Sequence, residues 1–197
     1  SGIGRVYRQD GSIIMMKDVS IGDRLLDTDG NYSPILTFFV HQKQGPTIDY
    51  LQISTNESIL VITSTHLLLM RHHNEVNSPR YLQASRLRVG DTIFSIQPYT
   101  NGTMKKMKVI GVSQNFKRND AYAPLTESGT LVVDSIAVSC YAQYESHSLI
   151  HLAMFPLRLW YTIKQQTIDS FEHNQLHSYI IFFLSSTHYL DLLIRSV

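Results

Sequence analysis

Apolar positions in this chain fall into short runs separated by turn-forming residues. Residues 1 to 26 alternate Arg5-Val6-Tyr7-Arg8, Asp10-Gly11, Ile13-Ile14-Met15-Met16, Gly22-Asp23 and Leu25-Leu26. An Asp-Gly step between two strand-like runs predicts a hairpin. A second turn is expected at Asp29-Gly30, followed by a strand over Pro34-Ile35-Leu36-Thr37-Phe38-Phe39-Val40 and another from Tyr50 to Ile53. The longest apolar run is Ile59 to Leu69, read as one strand packed on both faces and interrupted by Thr63-Ser64-Thr65-His66. The rhythm is all-β.

Polar groups inside such a run need partners or a task. His66 reads either as a core histidine satisfied by a backbone carbonyl or as an acid-base group, and Thr63 as a residue that could hold a substrate amide. Both readings stay open on the motif alone.

The pattern also repeats. Val19-Ser20-Ile21-Gly22-Asp23-Arg24-Leu25-Leu26 is echoed by Leu87-Arg88-Val89-Gly90-Asp91-Thr92-Ile93-Phe94 at an offset of 68 positions, and Ser58 to Ser64 by Gly129 to Ser135 at an offset of 71. Two echoes in the same order predict an internal duplication and a β fold with pseudo-twofold symmetry. After Tyr144 the spacing turns helical over His147 to Phe155 and Leu157 to Ile163, with Pro156 marking a break. Tyr179 to Leu184 and Tyr189 to Ile194 make an apolar tail, but His177, His188, Asp191 and Arg195 interrupt it. A helix lying at a membrane interface or holding a lipid fits this tail better than a span, as does a helix docked on the β core.

Composition narrows the classes. With 197 residues and 43% of them hydrophobic, the chain can bury a sizeable core, and a net charge of +1 gives no footprint for nucleic acid. The single cysteine, Cys140, excludes an internal disulfide framework and a zinc site built from several cysteines. It reads as a structural thiol or as one of a nucleophile pair with an imidazole. His147 with His151, and His173 with His177, have i, i+4 spacing without the glutamate of a zinc protease, so no metal or other cofactor is expected. The sequons at Asn31, Asn56 and Asn101 permit glycosylation in a secretory compartment, and the start at Ser1 without methionine reads as an internal piece of a longer precursor.

The motifs together resemble the C-terminal autoprocessing domain of Hedgehog-type proteins, the Hint (Hedgehog/intein) fold. The resemblance rests on Val19 to Leu26, on Thr63-Ser64-Thr65-His66, and on Ala123-Pro124-Leu125-Thr126-Glu127-Ser128-Gly129-Thr130-Leu131-Val132-Val133 leading into Ala137-Val138-Ser139-Cys140-Tyr141-Ala142, with Phe155 to Leu159 behind. It implies an all-β Hint domain over residues 1–158 and a short helical, sterol-recognition-like tail over 159–197.

The reaction it implies has two steps. A cysteine two residues ahead of Ser1 attacks the preceding carbonyl to give a thioester, and a sterol hydroxyl then displaces the thiol, releasing an upstream signalling domain that carries the sterol. The sterol, expected to be cholesterol, is a co-substrate met through the tail, and the setting is the secretory pathway. His66 would protonate the leaving amide nitrogen and Thr63 orient the amide. His41, in Phe39-Val40-His41-Gln42, would be the second-step base where the family more often has aspartate, and Cys140 would lie close to the active site. Ser1 as nucleophile, a non-cleaving Hint module and an intein-like element are the other readings; the last lacks a terminal asparagine with a following nucleophile.

Overall fold

The computed structural model describes residues 1–100, 102–142 and 151–167. Residues Ser1–Arg158 form one compact unit, and a second begins at Leu159. The first unit carries thirteen strands among its described residues: β1 (Arg5–Tyr7), β2 (Ile13–Met15), β3 (Arg24–Leu26), β4 (Tyr32–Gln42), β5 (Ile48–Thr55), β6 (Ile59–Thr63), β7 (His66–Arg71), β8 (Arg80–Gln83), β9 (Thr92–Ser95), β10 (Lys105–Arg118), β11 (Ala121–Thr126), β12 (Thr130–Val133) and β13 (Ile136–Ala142). The all-β reading holds.

Local chemistry explains the turns. Asp10-Gly11 closes the β1–β2 hairpin, in which Tyr7 pairs with Ile13. Asp134 and Ser135 turn β12 into β13 with φ of 49° and 67°, the left-handed pair that a two-residue hairpin requires. The two echoed segments adopt the same loop. Each follows a single 3-10 turn, Met16–Asp18 or Ala84–Arg86, and each places a glycine, Gly22 or Gly90, at φ of 89° or 98°. Gly22 N–H donates to the Ile35 carbonyl, and Gly90 N–H to that of Val109. Pairing then crosses between the halves, because β4 pairs with β11 and β10 with β5.

The run expected as one strand is two. Residues Ile59–Thr63 pair with β5 alone, whereas His66–Arg71 join β8, β9 and β13. The exposed Ser64-Thr65 step makes the change of partner, and the Ser64 carbonyl accepts a hydrogen bond from Ser85 N–H at 2.8 Å. Only the second half is covered on both faces: Leu67 to Met70 are all buried, while Ile59 is exposed and Leu60 and Ile62 point inward. Pro124 sits inside β11 beside a register shift, where the missing N–H leaves no broken ladder.

The core gathers Leu25, Ile35, Leu67, Leu68, Ile93 and Ile136, each fully buried. Helix α1 (Phe155–Thr167) starts at the expected break, with Pro156 in its first turn, where a missing N–H costs nothing. No described helix is long and apolar enough to cross a membrane. The apolar tail and His147, His173 and His177 lie outside the described residues.

Candidate functional site

The chain's first residue enters a cavity. The cavity measures about 140 Å³, and Ser1, Thr63, His66, Tyr122, Ser139 and Cys140 are among the residues lining it. Thr63 ends β6 and His66 opens β7, so the change of sheet at Ser64-Thr65 is what sets the two polar groups on one wall. Strand β13 brings Ser139 and Cys140 alongside, with Ala142 opposite His66 in the register.

A close-packed set of contacts anchors the N-terminal segment. Gly2 N–H donates to the Asp120 carboxylate at 2.9 Å, Lys17 N–H to the Gly2 carbonyl at 3.1 Å and Met16 N–H to the Gly4 carbonyl at 2.7 Å. A side chain at Gly2 would sit 2.3 Å from the Asp120 Oδ2 atom and 2.8 Å from the Tyr122 ring, so glycine is required by close approach. Arg118 holds Asp120 in a two-pronged ion pair, and that side-chain hydrogen bond is the main influence keeping the carboxyl below its usual range. The buried Tyr50 hydroxyl donates to the Asp120 carbonyl at 2.8 Å. Asp120, Arg118, Gly2 and Tyr50 are site residues the sequence reading missed; the glycines of Ser1-Gly2-Ile3-Gly4 were the signal available.

Burial dominates the electrostatics. Desolvation pushes the His66 pKa down to about 4, and a hydrogen bond to the Ser139 backbone opposes the shift. His66 is therefore a neutral imidazole at pH 7, with one ring nitrogen committed to Ser139 and the other an acceptor.

Cys140 is buried, its Sγ is 3.3 Å from the Thr126 hydroxyl, and desolvation pushes its pKa up to about 11. It is a protonated thiol at neutral pH, on the wall rather than poised to attack.

Three of the four residues singled out in the sequence, Thr63, His66 and Cys140, thus share one cavity. His41 does not line it. Its exposed ring lies on β4, 4.8 Å from the Phe38 ring and 5.3 Å from that of Tyr122, and Tyr122 in turn lines the cavity. Among the described residues no group of three or more histidine, cysteine, aspartate or glutamate side chains is placed to hold a metal ion.

Comparison with known proteins identifies the family and the fold. The family model for the Hint module matches residues 1–190. The chain is 37% identical to the Sonic hedgehog protein of Xenopus laevis over 161 residues, which is 78% of this chain and 35% of that protein. It is 29% identical to the hedgehog protein of Drosophila pseudoobscura pseudoobscura over 165 residues, 79% of this chain and 34% of that one. The chain thus spans about a third of the length of these two curated relatives.

Among solved structures, a DnaB intein from Synechocystis sp. PCC 6803 superposes with a TM-score of 0.57 at 10% identity, covering 71% of this chain and 95% of that one. The gp41-1 intein gives a TM-score of 0.55 at 12% identity, covering 71% of this chain and 95% of that one. At such identities the likeness concerns the fold. The chain therefore belongs to the Hint module family, and these curated relatives in it are hedgehog proteins.

Proposed function

We propose that this chain cleaves the peptide bond ahead of itself through a thioester and passes the upstream product to a sterol, in a precursor of the secretory pathway. The observation that carries the reading is the shared cavity: the segment entering at Ser1 meets Thr63 and a neutral His66 on one wall. An amide nitrogen is a poor leaving group, so cleavage needs a proton delivered to it. In the first step the thiol of a cysteine two residues before Ser1 adds to the scissile carbonyl. The C–S bond forms and the C–N bond breaks, and the thiol proton reaches the departing nitrogen by way of His66. Thr63 orients the amide.

In the second step the sterol hydroxyl adds to the thioester carbonyl. The C–O bond forms, the C–S bond breaks, the hydroxyl proton goes to His41 and the thiolate leaves. Proton transfer of this kind contributes on the order of 10² to 10⁴ in rate. Cys140 stands close to the reacting groups as a neutral thiol, and no cofactor is required.

The test is a precursor in which a folded domain and Cys-Phe precede Ser1. Dithiothreitol cleaves it at the thioester, and His66→Ala reduces that cleavage by on the order of 10²-fold or more. Undiminished cleavage would remove His66 from the mechanism. Cleavage in the parent with Cys-Phe replaced by Ala-Phe would shift the nucleophile to Ser1, and no cleavage in either would leave a non-cleaving module. His41→Ala leaves thiol cleavage intact and abolishes transfer to cholesterol, measured by the mobility of the released domain; normal transfer would cancel its role as base.

A further inference from the structure

Tyr122 meets both the exposed imidazole of His41 and the cavity that holds His66, which it lines. Its position is fixed on three sides. Strand pairing sets Tyr122 opposite His41, and the two rings meet edge to face at 5.3 Å with an interplanar angle of 84°. The residue also lines the cavity with Ser1, Thr63 and His66. Below, its Cε2 atom lies so close to Gly2 that a Cβ there would approach to 2.8 Å. Phe38 closes the far flank of His41 at 4.8 Å, so the imidazole is gripped between two aromatic rings while remaining exposed to solvent.

From this geometry, and resting on the two-step reading above, we infer that the Tyr122 ring is a positioning residue for the second step: it walls the thioester site off from water and holds His41 in the orientation that receives the acceptor's proton. The chemistry explains why a wall matters. A thioester in the cavity can be opened by the hydroxyl of an acceptor or by water. In both cases C–O forms, C–S breaks and one proton leaves the attacking oxygen, so only access and orientation discriminate between them. The ring supplies both, and it supplies them as a ring. The phenol oxygen takes no part.

The roles of ring and hydroxyl separate by substitution in the Cys-Phe precursor. Circular dichroism shows that Tyr122→Ala folds, and its dithiothreitol cleavage sets the reference for the first step. Transfer to cholesterol presented in detergent micelles falls relative to hydrolysis by on the order of 10²-fold. Tyr122→Phe restores the parent ratio of transfer to hydrolysis. An unchanged ratio in Tyr122→Ala would overturn the inference. So would a Tyr122→Phe variant as defective as the alanine one, because the hydroxyl would then be the active part. Loss of thiol cleavage together with transfer in Tyr122→Ala would also overturn it, placing the ring in the first step through its contact at Gly2. Failure of the underlying reading has a different signature: the parent precursor, with Tyr122 intact, would not be cleaved by the thiol at all.

Discussion

His66 answers to two opposed demands. Packing strips water from its ring and disfavours the charged form, while the proposed cleavage asks it to carry a proton in passing. A pKa near 4 meets both when the proton arrives from the nucleophile rather than from solvent. The same shift leaves a mark on stability. The folded chain holds this site neutral down to about pH 4, whereas the unfolded chain protonates it near 6.5. Between those values the unfolded state binds the extra proton, so the contribution is fully present above pH 6.5 and is lost as pH falls towards 4. In His66→Gln the unfolding free energy therefore varies less steeply with pH between 6.5 and 4 than in the parent. Denaturant titrations at a series of pH values measure this, and parallel curves would mean that the ring is solvated after all.

Legibility differs from residue to residue for physical reasons. Thr63 and His66 stood out because polar side chains interrupt an apolar run, and an interruption is visible in one dimension. Asp120 did not, because Arg118-Asn119-Asp120 reads as an ordinary charged turn. Its task comes from contact with Gly2, 118 positions away, and no local pattern encodes that.

At the scale of elements, the two echoed loops use one design with different side-chain partners. Asp23 accepts a hydrogen bond from Ser20 N–H and pairs with Arg8 at 2.8 Å. Asp91 accepts from Arg88 N–H and His73 N–H, and meets the His72 ring at 2.8 Å. Its side chain is 1% exposed against 20% for Asp23. Deleting Asp91 strands more donors in a drier place, so Asp91→Ala costs about 2–4 kcal/mol and Asp23→Ala about 1–2 kcal/mol. Chemical denaturation of the two variants checks the order, and a larger loss at Asp23 would contradict the burial argument. The loops were legible because glycine and aspartate serve purely local geometry. Strand β10 was not, since Lys105–Arg118 mixes charge with apolar residues and is a strand only because β5 and β9 flank it. The split of Ile59 to Leu69 into β6 and β7 escaped notice for a related reason: apolar continuity says that residues are buried, and not which neighbours bury them.

For the molecule as a whole, the legible part was class and rhythm, because alternation and turn chemistry act within a few residues. The exchange of strands was illegible, because it joins segments dozens of positions apart. That exchange reaches beyond architecture. With β4 completed by β11 and β10 completed by β5, neither half of the chain owns a finished sheet. The wall carrying Thr63 and His66 comes from the first half, and the strands bearing Tyr122, Ser139 and Cys140 come from the second. A ribosome that has released only the first half has therefore made one wall of the cavity and not the other. In the proposed reaction the chain carries its own clock: the cut waits until β13 has been synthesised and threaded into place.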